Sequence, residues 1–280
     1  MKIKILSDST CDLSAQLLQQ HDITLVPLTV IKNGEEFKDG VTITPADIFA
    51  HVAAGGELCS TSANSVGEYT DMFEKYTAAY DGVLVITIGS GFSSCYQNAC
   101  IAATDYDNVK VVDSMNLSTG QGLVVLEAVR LAKECASLEE LQEKVQAFTA
   151  KVEASFVLDQ LAYMVKGGRC STAAALGANL LNLKPCIEVR DGKMVVVKKY
   201  RGSYSKCLAS YVKDRLAERE DLTRDTLFVT KTSVSDEEYA AVMEAVGQYG
   251  NFAQTYETLA GCTVSCHCGP GTLGVLFVRK

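Results

Sequence analysis

Positive charge is in short supply: the 280-residue chain has 26 Lys plus Arg against 34 Asp plus Glu, a net charge of −8. A nucleic-acid binder needs a basic surplus to neutralise phosphates, so that class falls away first. Proline is sparse, with four residues in all, and no long Ser/Gly tract interrupts a chain that is 48% hydrophobic. These shortages exclude a disordered tail or spacer. Long apolar runs are missing too. The longest are strand-sized, such as Val83 to Ile88, against the roughly 20 residues of a membrane-spanning helix. At the N-terminus MKIKIL meets Ser7-Asp8-Ser9 before a signal-peptide hydrophobic region forms. There is no G-x-x-x-x-G-K-[ST] run to cradle a nucleotide. Only His21, His51 and His267 could supply an imidazole base.

Cysteine, by contrast, is plentiful. Eleven residues, an odd number at irregular spacing in a chain large enough to need no staples, read as small buried apolar groups in a reducing cytoplasm. At roughly 100–200 residues per domain, the length predicts two domains.

Short apolar runs alternate with helix patterns through the first half, as in parallel α/β proteins. Strands are predicted at Ile3 to Leu6, Ile23 to Ile31, Val83 to Ile88 and Val109 to Val112. Asn33-Gly34 is a hairpin turn. Thr44-Pro45 and the capping box Ser65/Glu68 open helices, and Gly55-Gly56 ends one. Ser93 or Ser94 opens another, and helices follow near Thr119 to Lys133 and Leu138 to Val152. Beyond residue 155 the character changes. Pro185 to Arg190 and Met194 to Lys199 flank Asp191-Gly192 as an antiparallel hairpin. Helices near Tyr204 to Arg219 and Asp236 to Tyr249 alternate with strands at Thr226 to Thr230, Phe252 to Glu257, Thr263 to His267 and Leu273 to Val278. The expected fold is α/β with two domains. Residues 1–155 form a three-layer α/β/α unit on a mainly parallel sheet, and residues 156–280 form a smaller α/β unit on a mixed sheet.

Two Ser/Thr-rich loops stand out, Cys59 to Ser65 and Gly89 to Ser94. Each precedes a helix, and in an open parallel sheet both would lie beyond the carboxyl ends of strands, where ligands bind. Hydroxyls beside the free N–H groups of a helix start make an anion site without fixed positive charge. Ordinary helix capping accounts for either loop alone, and the two together keep a binding site open. A nucleophile elbow would need G-x-S-x-G, whereas Gly91-Phe92-Ser93-Ser94-Cys95 lacks the second glycine. A serine esterase or acyltransferase using Ser93 and His267 is the enzyme alternative, without a visible carboxylate behind the histidine. Cys262, Cys266, His267 and Cys268 resemble metal ligands by letter. In an extended segment Cys266 and Cys268 would share one face and His267 the other, so no metal is expected. Gly269-Pro270-Gly271-Thr272-Leu273-Gly274 matches G-x-G-x-x-G but leads into a strand and reads as a turn. Lys198-Lys199-Tyr200-Arg201 reads as a solvated strand end.

Taken in order, Ser7-Asp8-Ser9 with Asp12-Leu13, Val26-Pro27-Leu28, Thr61-Ser62 with Ser65, Ser93 with Tyr96-Gln97-Asn98-Ala99, and Val112-Asp113-Ser114 resemble the DegV family. Lys166-Gly167-Gly168-Arg169, Leu183-Lys184-Pro185, Arg201 and His267 with Gly269-Pro270-Gly271 extend the resemblance over nearly the whole chain. It implies a long-chain fatty acid such as palmitate, held in a tunnel between the two domains. Thr61 and Ser93 would grip the carboxylate, with Ser62, Ser94 and His267 beside them. The resemblance further implies a carrier without catalytic residues, metal or cofactor, whose partner is a fatty acid kinase that docks and reacts near Arg201 and His267. Two positions depart from the family pattern: the usual S-G-T-Y reads Ser93-Ser94-Cys95-Tyr96, and a proline is replaced by Asn64. A sensor of another small carboxylate is the remaining alternative.

Overall fold

The computed structural model describes residues 1–175 and 183–280, and every statement about elements concerns these residues. The first part of the chain runs β1 (Ile3–Asp8), α1 (Ala15–Gln20), β2 (Ile23–Val26), β3 (Thr29–Lys32), β4 (Glu35–Lys38), α2 (Pro45–Ala53), β5 (Ser60–Ser62), α3 (Val66–Thr77), β6 (Gly82–Thr87), α4 (Cys95–Ala103), β7 (Val109–Asp113), α5 (Ser118–Leu131) and α6 (Leu138–Phe148). The remainder runs β8 (Val152–Val157), α7 (Leu161–Gly167), α8 (Ser171–Ala174), β9 (Leu183–Arg190), β10 (Lys193–Arg201), α9 (Tyr204–Leu216), β11 (Leu222–Lys231), α10 (Asp236–Tyr249), β12 (Gln254–Leu259), α11 (Cys262–Cys268) and β13 (Leu273–Arg279).

A parallel sheet in the order β2-β1-β6-β7 and a mixed sheet in the order β10-β9-β8-β13-β11-β12 give the expected α/β architecture. In β6 all six residues are buried, the near-continuous apolar run of a parallel strand covered on both faces. Between the sheets lies α5, which packs on β1 and β6 on one side and on β8, β11 and β13 on the other. Its buried residues point all round the helix, among them Leu123, Val124, Val125, Ala128 and Leu131, as burial on two sides demands. The largest apolar cluster therefore runs unbroken from Leu84 and Val112 through α5 to Phe156 and Phe228.

Where the signals are local, structure follows sequence. Thr44 and Ser65 close reciprocal capping boxes with Asp47 and Glu68. The Asn33-Gly34 and Asp191-Gly192 turns join antiparallel pairs, with Lys32 opposite Glu35 and Arg190 opposite Lys193.

Three expectations are corrected. Ile23 to Ile31 is not one strand: β2 pairs in parallel with β1, and β3 belongs to a separate antiparallel sheet of order β4-β3-β5. The break falls at Pro27, which has no N–H to continue a ladder. The Ser60–Ser62 segment is not a loop beyond a parallel strand but the edge strand β5, with Thr61 opposite Val30. Thr263 to His267 is not a strand but lies in helix α11. The face argument for Cys262, Cys266, His267 and Cys268 changes with it. On a helix, positions four apart share a face, so Cys262 and Cys266 enter the small core with Val30, Ile43 and Ile48, while Thr263 and His267 share another face.

Candidate functional site

Ser7-Asp8-Ser9 ties down one loop and one strand start. Asp8, at the end of β1, accepts the Ile88 N–H at 2.7 Å and so fixes the start of the Gly89 to Ser94 loop. Ser9 accepts the Leu28 N–H at 3.1 Å and donates to Asp39 Oδ2 at 3.1 Å, which positions the start of β3. Asp8 is buried among Thr10, Gln121 and Ile88, and its carboxyl sits above the ordinary range because burial outweighs those hydrogen bonds.

A cavity of about 810 Å³ opens between the Gly89 to Ser94 loop, β5, α11 and the second sheet. β5 contributes Thr61 and Ser62, the β6–α4 loop Phe92, Ser93 and Ser94, and α11 Val264, His267 and Cys268. Leu28, Ile88, Leu117 and Met194 are among its apolar lining. Past Leu117, Val264 and Cys268, which face both spaces, lies a second void of about 30 Å³ against Ala154, Phe156 and Leu276.

The polar end is built by two residues 206 positions apart: Thr61 Oγ1 lies 2.8 Å from His267 Nε2. Burial, reinforced by the Arg169 charge, pushes the imidazole down to about 4, so it is neutral at pH 7. Among the described residues Nδ1 has no hydrogen-bond partner, and it faces Gly167, where a Cβ would lie 2.4 Å away. A neutral ring with Nε2–H donating to Thr61 leaves the Thr61 hydroxyl proton to point at a ligand. Ser93 Oγ accepts the Cys95 N–H at 3.3 Å and lies 3.2 Å from Cys95 Sγ. Sulfur is a weak acceptor, so this hydroxyl is readily redirected. The pairing required by the esterase alternative is not formed, since His267 bonds Thr61 rather than Ser93 and no carboxylate among the described residues backs its Nδ1.

Thr61, Ser62, Ser93, Ser94 and His267 all line the one cavity. Arg201 does not; it is exposed at the end of β10, opposite Leu183. Arg169 was the residue missed as a site: it lines the cavity and supplies the fixed positive charge that the two loops lack. Its signal was its place after Gly167-Gly168, where the helix ends with Gly168 in the left-handed region (φ 67°) and turns the chain toward the loop of Phe92. The two departures are absorbed. Ser94 has φ −79°, so the backbone there does not need glycine. Asn64 is buried, donates to Pro27 O at 2.8 Å and accepts from Asn98 at 2.8 Å, tying β5 to α4.

Residues 2–280 match the family model described as an uncharacterised protein of the DegV family. A DegV domain-containing protein of Caldanaerobacter subterraneus is 31% identical over 283 residues, covering 100% of this chain and 99% of that one. Among solved structures, a DegV family protein from Thermus thermophilus, described by its fatty acid binding, superposes with a TM-score of 0.92 at 28% identity, covering 100% of both chains. A stearic-acid-binding protein from Eubacterium ventriosum gives 0.82 at 28% identity, covering 99% of this chain and 98% of that one. With a family match over residues 2–280 and a relative above 30% identity end to end, this chain belongs to the DegV family.

Proposed function

We propose that this protein binds a long-chain fatty acid such as palmitate, with the carboxylate at Thr61, Ser93 and His267, flanked by Ser62 and Ser94. The tail lies on the apolar wall formed by Leu28, Ile88, Leu117, Met194 and Val264. The observation that carries this reading is the Thr61–His267 pair on the wall of an 810 Å³ cavity, within the roughly 300–1,000 Å³ typical of ligand pockets. The descriptions of the Thermus and Eubacterium proteins support the ligand class. Burying fifteen carbons is worth on the order of 12 kcal/mol gross at ~0.8 kcal/mol per CH₂. Each neutral hydrogen bond adds only about 1 kcal/mol, and association removes several kcal/mol or more. The tail sets affinity; the hydroxyls set orientation.

The finer reading is a non-catalytic carrier that presents its carboxylate to a fatty acid kinase, with Arg201 and His267 toward the partner. In this reading residues 1–155 supply the carboxylate loops, residues 156–280 close the tail channel, and the cytoplasm is the compartment. A head group held by hydroxyls, with the nearest arginine exposed at the rim, stays open to another protein's chemistry.

Native mass spectrometry of protein purified without added lipid should reveal an acyl chain. Thr61→Ala and Ser93→Ala should each weaken palmitate binding by about 5–10-fold, the value of roughly 1 kcal/mol, with melting temperature nearly unchanged. Absence of both a co-purified acyl mass and a thermal shift with palmitate would end the proposal.

A further inference from the structure

Helix α11 has only seven residues, too few to stand by itself in water. Its first amides have no acceptor within the helix, and its N-cap, Gly261, has no side chain to offer one. The acceptors come from far away in the chain. Asp39 Oδ1 takes the Cys262 N–H at 2.8 Å and Asp39 Oδ2 the Thr263 N–H at 3.0 Å, across 223 and 224 positions. Asp12 Oδ1 takes the Gly261 N–H at 2.8 Å. A Cβ on Gly261 would lie 2.9 Å from that Asp12 oxygen, so the glycine is what lets the two carboxyl groups in.

Asp39 is held in its turn. Its N–H donates to Leu28 O at 2.9 Å, Ser9 Oγ donates to its Oδ2 at 3.1 Å, and the residue is buried. It follows β4 directly, β4 pairs with β3, and β3 pairs with β5 and Thr61. A closed circuit results: from Thr61 through the three-stranded sheet to Asp39, into the first turn of α11, and along the helix to His267, which bonds Thr61. The anchored amides and the imidazole are separated by about 6 Å, four residues of helical rise.

We infer that Asp39 is a positioning residue of the head-group site, holding α11 so that His267 meets Thr61 and orients its hydroxyl toward a carboxylate. The inference rests on the fatty-acid reading for its ligand but not for its geometry. Asp39→Asn keeps the volume, replaces one acceptor oxygen with an NH₂ group that opposes the amides, and removes the charge that the helix start favours.

The test measures palmitate and hexadecanol binding, together with the NMR titration of the His267 ring, in wild type, Asp39→Asn and the milder Ser9→Ala. Palmitate affinity should fall about tenfold in Asp39→Asn, matching loss of one hydrogen bond to a charged group, and by less in Ser9→Ala. Hexadecanol affinity should change less than threefold. The imidazole, freed to meet water, should titrate closer to its ordinary 6.5. Equal loss of both ligands, or an unmoved imidazole titration in both variants, would overturn the assignment. If Asp39→Asn does not fold, Ser9→Ala decides alone. Failure of the wild type to bind palmitate would strike the proposed function, while the imidazole titration would still decide the positioning role.

Discussion

Gly167→Ala is the sharpest probe of the head-group geometry. Gly167 ends α7 with its missing side chain against His267: an added Cβ would lie 2.4 Å from Nδ1, 3.3 Å from Cγ and 3.4 Å from Cε1. Ordinary carbon contacts begin near 3.5 Å, so the ring must retreat by about 1 Å. The Thr61 Oγ1 to His267 Nε2 separation is 2.8 Å, and a displacement of that size takes it outside hydrogen-bond geometry. Losing the bond that orients Thr61 costs the ligand about 1 kcal/mol, the value of one neutral hydrogen bond, or roughly 5- to 10-fold in affinity. Fold stability should move far less, because alanine favours a helical position over glycine by up to about 1 kcal/mol and offsets the crowding. Displacement of a fluorescent fatty acid by palmitate reads the affinity, and thermal melting reads the fold. In a His267→Ala background the added methyl has no ring to strike, so Gly167→Ala should there be silent. Palmitate affinity within twofold of wild type, or an equal loss in the His267→Ala background, would refute the reasoning.

Two further outcomes follow from the buried groups. Burial, with the Asp39 and Asp8 charges adding to it, pushes Asp12 up to about 8; the folded state thus keeps a proton that the unfolded chain releases above about 4. Stability should fall as pH rises from 4 to 8, by at most about 1.4 kcal/mol per pH unit, and urea melts of Asp12→Asn should show that slope removed. Val264 stands between the main cavity and the smaller void. Val264→Trp should therefore cost palmitate at least tenfold more than octanoate in the same displacement assay, since the longer chain needs more of the apolar wall.

The parts of the fold that could be read in advance were those whose causes lie within a few residues. A capping box needs Ser65 and Glu68 alone, and a two-residue turn needs Asp191 and Gly192. Helix α11 had no such mark. Its caps are Asp39 and Asp12, and its β-branched, Cys-rich run carries the composition of a strand. β5 is extended because β3 lies beside it, not because Ser60-Thr61-Ser62 prefers a strand. The lining residues Thr61, Ser93 and His267 were anticipated through the family resemblance, whereas the bond between Thr61 and His267 spans 206 positions and depends on how α11 is seated. Arg169, quoted for the resemblance, was not counted as a site residue because a charge at a helix end looks like any solvated terminus until the fold sets it against the cavity.

Because α5 presents apolar side chains to both sheets, neither sheet can be stripped from the other without exposing that helix to water. Melting should then be a single cooperative event, with calorimetric and van't Hoff enthalpies in agreement. A molecule lodged beside Leu117, at the threshold of α5, would raise the transition of the whole chain rather than of one lobe.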